Sequence, residues 1–147
     1  MSAHTDATMF VRTILCQTIA LLGRSTDSAH GVEVCTTTLQ HIDAAAYAVG
    51  AAELAQLAAS FRQRTATARR LRNAVSDQID NTVDHTAIAR YRQEYEKLTA
   101  IIAECSTCTR LIGALARLLD PACPQDLHAA LIVSAKTAYC EAVALQP

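Results

Sequence analysis

The most regular pattern of apolar positions in the chain runs from Ile88 to Leu119. Within it, apolar or small residues recur at alternating intervals of three and four: Ile88, Tyr91, Tyr95, Leu98, Ile102, Cys105, Thr109, Ile112, Ala116 and Leu119. This spacing predicts one face of a long amphipathic helix, which would extend about 48 Å if it is continuous. Ser and Thr at 106, 107 and 109 have low helix propensity, so a kink is expected near 105–109.

A second apolar stripe of similar length precedes the first and predicts the other half of a helical hairpin. Its members are Leu54, Leu57, Phe61, Thr65, Ala68, Leu71, Val75 and Ile79. The polar residues 80–85 form the predicted turn, with Asp84 or Thr86 as the cap of the next helix. Helices over about 51–79 and 86–119 with so short a connection are expected to pack antiparallel.

Two shorter helices are predicted before the hairpin. The first is capped by Thr5 or Asp6 and ends at Gly23, and a polar connection follows over 24–31. The second covers about 32–49, with apolar residues along one face. Gly50 then marks either a hinge before the hairpin or a close-packing point inside a longer helix.

The last predicted helix follows two prolines, Pro121 and Pro124. Pro124 suits the first position of that helix, because proline lacks the N–H that a helix start leaves unpaired. The run 129–133 is apolar on nearly every side, which suggests deep packing or contact with another chain. The pattern as a whole predicts an all-α fold, an antiparallel bundle of four to five helices, in a single domain over 1–147.

The composition agrees with a helical bundle. Gly (4) and Pro (3) are scarce, there is no Trp, and aromatic residues are only 4% of the chain, so small and aliphatic side chains must fill the core. The hydrophobic content of 51% argues against disorder.

The charge and the cysteines narrow the class of protein. A net charge of −1 provides no general attraction to nucleic acid or to anionic membranes, and neither is expected as a partner. No apolar run approaches the roughly 20 residues that span a bilayer, and residues 14–22 make a poor secretory signal. The six cysteines lie mostly within helical patterns, which favours a reduced, cytoplasmic protein.

Cys105 and Cys108 form a Cys-x-x-Cys pair, a spacing found in zinc sites and in thiol-exchange sites. Redox pairs place the first Cys at a helix N-terminus, whereas this pair lies deep inside a predicted helix. Cys123, His128 and Cys140 do not complete a zinc-binding spacing. Core packing is therefore the favoured interpretation, with metal binding or thiol chemistry at Cys105 and Cys108 as the alternatives.

Five arginines are concentrated in the first helix of the hairpin: Arg62, Arg64, Arg69, Arg70 and Arg72. Arg62, Arg69 and Arg70 point away from the apolar stripe, whereas Arg64 lies within about 40° of its centre. An exposed arginine face binds phosphates or an acidic partner; the alternative is a solvated face with Arg64 paired to a carboxylate of the long helix. Arg62, Arg64, Arg69 and Arg70 are the candidate partner-binding residues.

One segment resembles a known family. It reads Leu39-Gln40-His41-Ile42-Asp43-Ala44, followed by Val49-Gly50-Ala51, Leu54, Leu57 and Phe61. This is similar to the central hairpin of histidine phosphotransfer domains, helical bundles in which an exposed His accepts a phosphoryl group. Aligned on Gly50, the position of that His is occupied by Gln40, and Asp43 replaces the family's Lys. His41 lies one residue later, about 100° around the helix. The resemblance implies a binding module without the phosphorylated His.

The chain contains no motif that identifies an enzyme. Its four glycines are isolated, which excludes a P-loop and a dinucleotide-binding fingerprint, and there is no G-x-S-x-G or H-E-x-x-H. We therefore expect a non-enzymatic interaction or assembly protein without a cofactor, which binds a protein partner or associates with itself. The phosphotransfer-like module and the cysteine-based metal or redox protein are the alternatives.

Overall fold

The structure, a computed structural model, describes residues 3–24 and 28–146 and confirms the all-α prediction. Five α-helices follow one another in these ranges: α1 (Ala3–Leu22), α2 (Ala29–Asp43), α3 (Tyr47–Asp80), α4 (His85–Leu119) and α5 (His128–Ala144). They pack against each other as a bundle, and no strand occurs in the described residues.

The predicted hairpin is formed by α3 and α4, which run antiparallel along their whole lengths. The turn between them is short, and the Asp84 carboxylate accepts a hydrogen bond from the Thr86 N–H at 3.1 Å, which caps α4. Helix α4 is unbroken through 105–109, the segment for which the sequence predicts a kink. The Thr107 and Thr109 hydroxyls donate to carbonyls one turn back, so they do not compete for the helix's own N–H groups.

The predicted end of the second helix is wrong. The pattern predicts it at 49, but α2 ends at Asp43 and α3 begins at Tyr47. At the break, Ala45 has a φ of 58°, and the N–H groups of Ala45 and Ala46 donate to the carbonyls of Ile42 and His41. This is the hydrogen-bond pattern of a Schellman C-cap, whose left-handed residue is usually Gly. Because this position is occupied by alanine, the sequence contains no helix-breaking residue at the end of α2.

Gly50 is a close-packing point inside α3 and not a hinge. A Cβ built on Gly50 would lie 3.0 Å from Cδ2 of Leu119 and 3.3 Å from Cγ2 of Thr38. The missing side chain therefore lets α2 and the end of α4 approach α3 closely at this level of the bundle.

The buried core lies at one end of the hairpin. Side chains from all five helices form one apolar cluster there, including Val11, Leu15, Leu22, Cys35, Ile42, Leu54, Leu57, Phe61, Leu111, Leu115, Leu118, Leu131 and Ala135. We call this part the body: it consists of α1, α2, α5, the portion of α3 up to Ala68 and the portion of α4 from Ile102.

The other end of the hairpin projects from the body. No residue between 69 and 101 is fully buried, because the shorter helices α1, α2 and α5 do not reach it. We call residues 69–101 the arm. Its tip is the connection 81–84, and its base is the end that adjoins the body.

Helix α5 differs from its prediction at its start. Pro124 precedes a 3-10 turn, Gln125–Leu127, and α5 itself begins at His128. Its apolar run is not packed on every side: Leu131 is buried in the core, whereas Val133 is exposed.

Helix α4 is long and apolar enough to cross a membrane, and it is the one helix of the described ranges that meets this criterion. The core helix of a soluble protein meets the same criterion. The apolar residues of α4 from Ile102 onward are largely buried against the other helices of the body, as is typical of a core helix.

Candidate interaction surface on the helical arm

An apolar groove runs along one side of the arm between α3 and α4. Its walls are formed by Leu71, Ala74, Val75, Tyr91, Leu98 and Ile101, and its volume is about 530 Å³. Leu71 is 52% exposed and Ile101 is 40% exposed, which is high for large aliphatic side chains. Charged and polar residues, Gln78, Glu94 and Lys97, border the apolar strip. We call this surface the arm groove.

The arm groove continues toward the base into a second depression, lined by Arg64, Thr67, Leu71, Leu98 and Ile101. Leu71, Leu98 and Ile101 therefore belong to both depressions and form the centre of one continuous apolar surface. An apolar surface with a polar border is the usual composition of a protein-binding surface.

The α3 wall of the groove belongs to the same stripe of residues that α2 covers in the body. In the body, Glu53 of this stripe forms an ion pair with His41 of α2, and Gly50 contacts Thr38 of α2. The spacing of three and four continues from these positions through Ser60, Arg64, Thr67, Leu71, Ala74 and Gln78. The groove is thus the uncovered continuation of a face on which α2 packs in the body.

The candidate arginines do not form one cluster. Arg64 lines the arm groove, and its guanidinium lies over the Phe61 ring, 5.7 Å from the centroid. Arg62 and Arg69 line a different depression together with Thr65 and Ser106. Arg70 is exposed and donates a hydrogen bond to the Thr67 hydroxyl. Across the described ranges none of these four arginines forms an ion pair, so Arg64 is not paired with a carboxylate of α4.

Arg72 has a different position, because it connects the two helices of the arm. Its guanidinium lies 5.5 Å from the centroid of the Tyr95 ring, and its Nη1 is 3.4 Å from the Thr99 hydroxyl, to which it donates. Stacking of this kind buries the stem of an arginine and leaves its charge near water. Arg72 therefore stabilises the hairpin where large buried side chains are absent.

A second groove of about 480 Å³ lies in the body between α3, α4 and α5. Its floor is made of small residues, Ala55, Ala58, Gly113 and Ala114, and Arg62, Arg110 and Arg117 stand at its border. Arg110 is engaged by the Glu141 carboxylate, and this hydrogen bond lowers the pKa of Glu141. The floor offers little apolar area, so this groove is a weaker candidate for a binding surface than the arm groove.

The cysteine pair lies in the core. Cys105 and Cys108 are both buried, and Cys35 of α2 is buried with them. Burial raises the pKa of Cys35 and of Cys108 to about 12, and burial also raises the pKa of Cys105, against a smaller lowering effect of Arg64. Buried thiols with raised pKa values are poor nucleophiles. Within the described ranges, no group of three or more His, Cys, Asp or Glu residues is placed to hold a metal ion.

The segment that resembles histidine phosphotransfer domains does form a helical hairpin, made by α2 and the start of α3. Gln40 is exposed, but it lies only three residues before the end of α2 at Asp43. His41 is partly buried and forms an ion pair with Glu53. Neither side chain is presented in the middle of a long exposed helix, as the phosphorylated His of that family is.

Comparison of the chain with protein-family models, with curated proteins and with solved structures finds no match.

The arm groove was not anticipated from the sequence, although helix lengths contained an indication of it. Helices α1, α2 and α5 have 20, 15 and 17 residues, whereas α3 and α4 have 34 and 35. Helices of about 22–30 Å cannot cover a hairpin of about 50 Å from one end to the other. An uncovered segment follows from that difference in length.

Proposed function

We propose that this chain is a non-enzymatic interaction protein that binds a helical protein partner in the arm groove. The observation that carries this proposal is the continuous exposed apolar surface centred on Leu71, Leu98 and Ile101. Each of these residues lies on α3 or α4 and is accessible in the folded chain, so the surface is available without rearrangement. An amphipathic helix with residues spaced three and four apart matches such a groove between two helices.

Two further features support this function. The buried thiols are poorly suited to redox chemistry, and the described residues bring together no metal-binding group. All six cysteines are unbonded, which is in keeping with a reducing, cytoplasmic location as part of the proposal.

Site-specific photo-crosslinking tests the proposal. A benzophenone side chain placed at Leu71 is expected to give a discrete protein adduct, either with a second copy of the chain or with another protein of the native cell extract. The same group at Val133, which is exposed on α5 away from the groove, is the matched control. The additional substitution Ile101→Glu should abolish the adduct from position 71, since it places a charge in the centre of the groove.

If position 71 gives no adduct beyond that of position 133, the arm groove is not a protein-binding surface. The same conclusion follows if the adduct persists with Ile101→Glu. Circular dichroism of the variants verifies that the helical fold is retained.

A further inference from the structure

The face of the hairpin that carries the arm groove is covered by helices in the body and by none in the arm. The N-terminal part of α2 lies where the covered segment ends: a Cβ built on Gly31 would be 3.8 Å from the Phe61 ring and 3.1 Å from Cδ1 of Leu22 of α1. From Arg64 outward, the same face is open to the tip. The layer of helices that covers this face in the body is therefore absent along the whole arm.

We propose that a second copy of this chain covers the arm groove, with the two arms packed face to face and antiparallel. The inference rests on the proposed function of the arm groove and specifies its partner. Each tip then lies against the base of the other arm, next to the end of α2. Each arm supplies the two helices that the other lacks, and the result is a four-helix arrangement continuous with the body.

The position of the body excludes the parallel alternative for a face-to-face pair. In a parallel pair, both bodies would lie at the same end, and α2 of each chain stands above the hairpin face that has to meet its partner. The two α2 helices would then lie between the two hairpin faces. Each would add about 8–10 Å to the separation of the arms. With the arms antiparallel, each α2 lies beyond the partner's tip.

The two outermost charges on the α4 side of the groove are complementary in the antiparallel arrangement. Arg90, Glu94, Lys97, Ile101 and Glu104 follow one another at intervals of three and four, and so share one face of α4. Arg90 lies near the tip and Glu104 near the base, about 21 Å apart along the helix. They cannot pair within one molecule. In the antiparallel dimer, α4 packs on the partner's α4 and Arg90 of each chain faces Glu104 of the other.

The charges of α3 are also distributed unequally between the two ends of the groove. Arg64 stands at the base of the groove, and the carboxylates of α3 beyond Glu53 are Asp77 and Asp80, near the tip. No acidic residue lies between Glu53 and Asp77, and five arginines do. In the antiparallel dimer the arginine-rich part of one α3 comes level with the end of the other α3 that carries Asp77 and Asp80, and this long-range attraction favours the antiparallel register through the encounter rate.

Charge reversal with light scattering after size-exclusion chromatography tests the inference. The wild-type chain is expected to change from monomer to dimer with rising concentration, and Leu71→Glu to remain monomeric. Arg90→Glu and Glu104→Arg should each weaken the dimer at least tenfold, because each places two like-charged pairs across the interface. The double variant R90E/E104R should restore the wild-type dissociation constant to within about threefold. Val133→Glu and Arg92→Glu, both outside the groove, are the matched controls and should leave the dissociation constant of the dimer unchanged.

Cross-linking determines the direction of the arms. In a background with Cys16, Cys123 and Cys140 replaced by Ser, a short bismaleimide should join two chains through Ala74→Cys, which lies near the middle of the arm. It should not join them through Val83→Cys, which lies at the tip and would meet its counterpart only in a parallel pair.

A strictly monomeric wild-type chain overturns the inference, and so do a double variant that fails to restore the dimer or efficient cross-linking through position 83. None of these results removes the proposed function, provided that photo-crosslinking from position 71 still gives an adduct with a different protein. Absence of any adduct from position 71 removes both.

Discussion

At the scale of single residues, Ala45 has a backbone conformation that favours glycine, and Gly50 has one that favours alanine. Ala45 adopts a left-handed φ of 58°, where an L-residue with a Cβ costs roughly 1–2 kcal/mol relative to Gly. Gly50 lies five positions later in the first turn of α3, where Gly is up to about 1 kcal/mol less favourable than Ala. Gly50 is explained by its contacts with Leu119 and Thr38, whereas Ala45 is exposed and nothing in its surroundings requires an alanine.

We expect Ala45→Gly to raise the free energy of unfolding by about 1 kcal/mol, because it removes the left-handed strain from the C-cap of α2.

Gly50→Ala should lower the free energy of unfolding by about 1 kcal/mol, since the cost of overpacking against Leu119 and Thr38 exceeds the gain in helix propensity. Urea denaturation of purified variants measures both changes.

Gly113→Ala is the matched control for helix propensity. A Cβ built there meets no atom within 4 Å, so this variant should gain the propensity of alanine, about 1 kcal/mol, without a packing cost. A stabilised Gly50→Ala variant would show that Leu119 and Thr38 move aside easily, and a destabilised Ala45→Gly variant would contradict the C-cap assignment.

At the scale of elements, α3 and α4 are each divided between two environments. In the body, α3 also contacts α2, and α4 also contacts α1 and α5, whereas the arm portions contact mainly each other. Isolated helical hairpins with few buried side chains open at low free-energy cost, and most helical stability comes from tertiary packing. The arm is held by its half-buried stripe, by Arg72 stacked on Tyr95, and by the Asp84 cap.

Hydrogen exchange should therefore separate the arm from the body within the same two helices. In the monomeric Leu71→Glu variant, amides of 72–80 and 86–98 are expected to exchange at least about tenfold faster than those of 51–66 and 104–118. Mass spectrometry of peptides from α3 and α4 provides the measurement. Equal protection along α3 would show that the arm opens only with the whole fold. In the wild-type chain, arm protection that rises with protein concentration would reflect coverage by a second copy.

At the scale of the whole molecule, the buried thiols couple global stability to pH. Burial raises the pKa of Cys35 and Cys108 from 9.0 to about 12, so between these values the unfolded chain has lost thiol protons that the native state retains. The thiols' contribution to stability is therefore complete below pH 9 and is lost as pH rises toward 12. Each such thiol contributes a slope of about 1.4 kcal/mol per pH unit in this window.

We expect Cys35→Ala to reduce the fall of unfolding free energy between pH 9 and 11 by roughly 1 kcal/mol per pH unit. Urea denaturation at several pH values, with a reducing agent present, measures the slope. Cys16→Ala, at an exposed position, is the control for the removal of a thiol as such. If Cys35→Ala and Cys16→Ala have the same slope, Cys35 titrates as freely in the native state as in the unfolded chain.

Long-range periodicity and local turn chemistry were sufficient to predict the two long helices and their connection. The stripes at intervals of three and four predicted α3 and α4 because a helix repeats every 3.6 residues, and the polar turn with Asp84 predicted their connection. The end of α2 could not be predicted in this way. Its C-cap uses Ala45, and propensity alone favours a helix that continues through an alanine-rich run.

Which parts of the apolar stripes are covered depends on how the helices pack together, and periodicity does not predict it. Leu71 and Leu57 occupy equivalent positions on the α3 stripe, yet Leu57 is buried and Leu71 is 52% exposed. Cys105 is likewise a core residue with a raised pKa only because the tertiary packing of the body buries it. Periodicity specifies which face of a helix is apolar, whereas burial depends on the lengths and positions of the other helices. The candidate site lies where those other helices end.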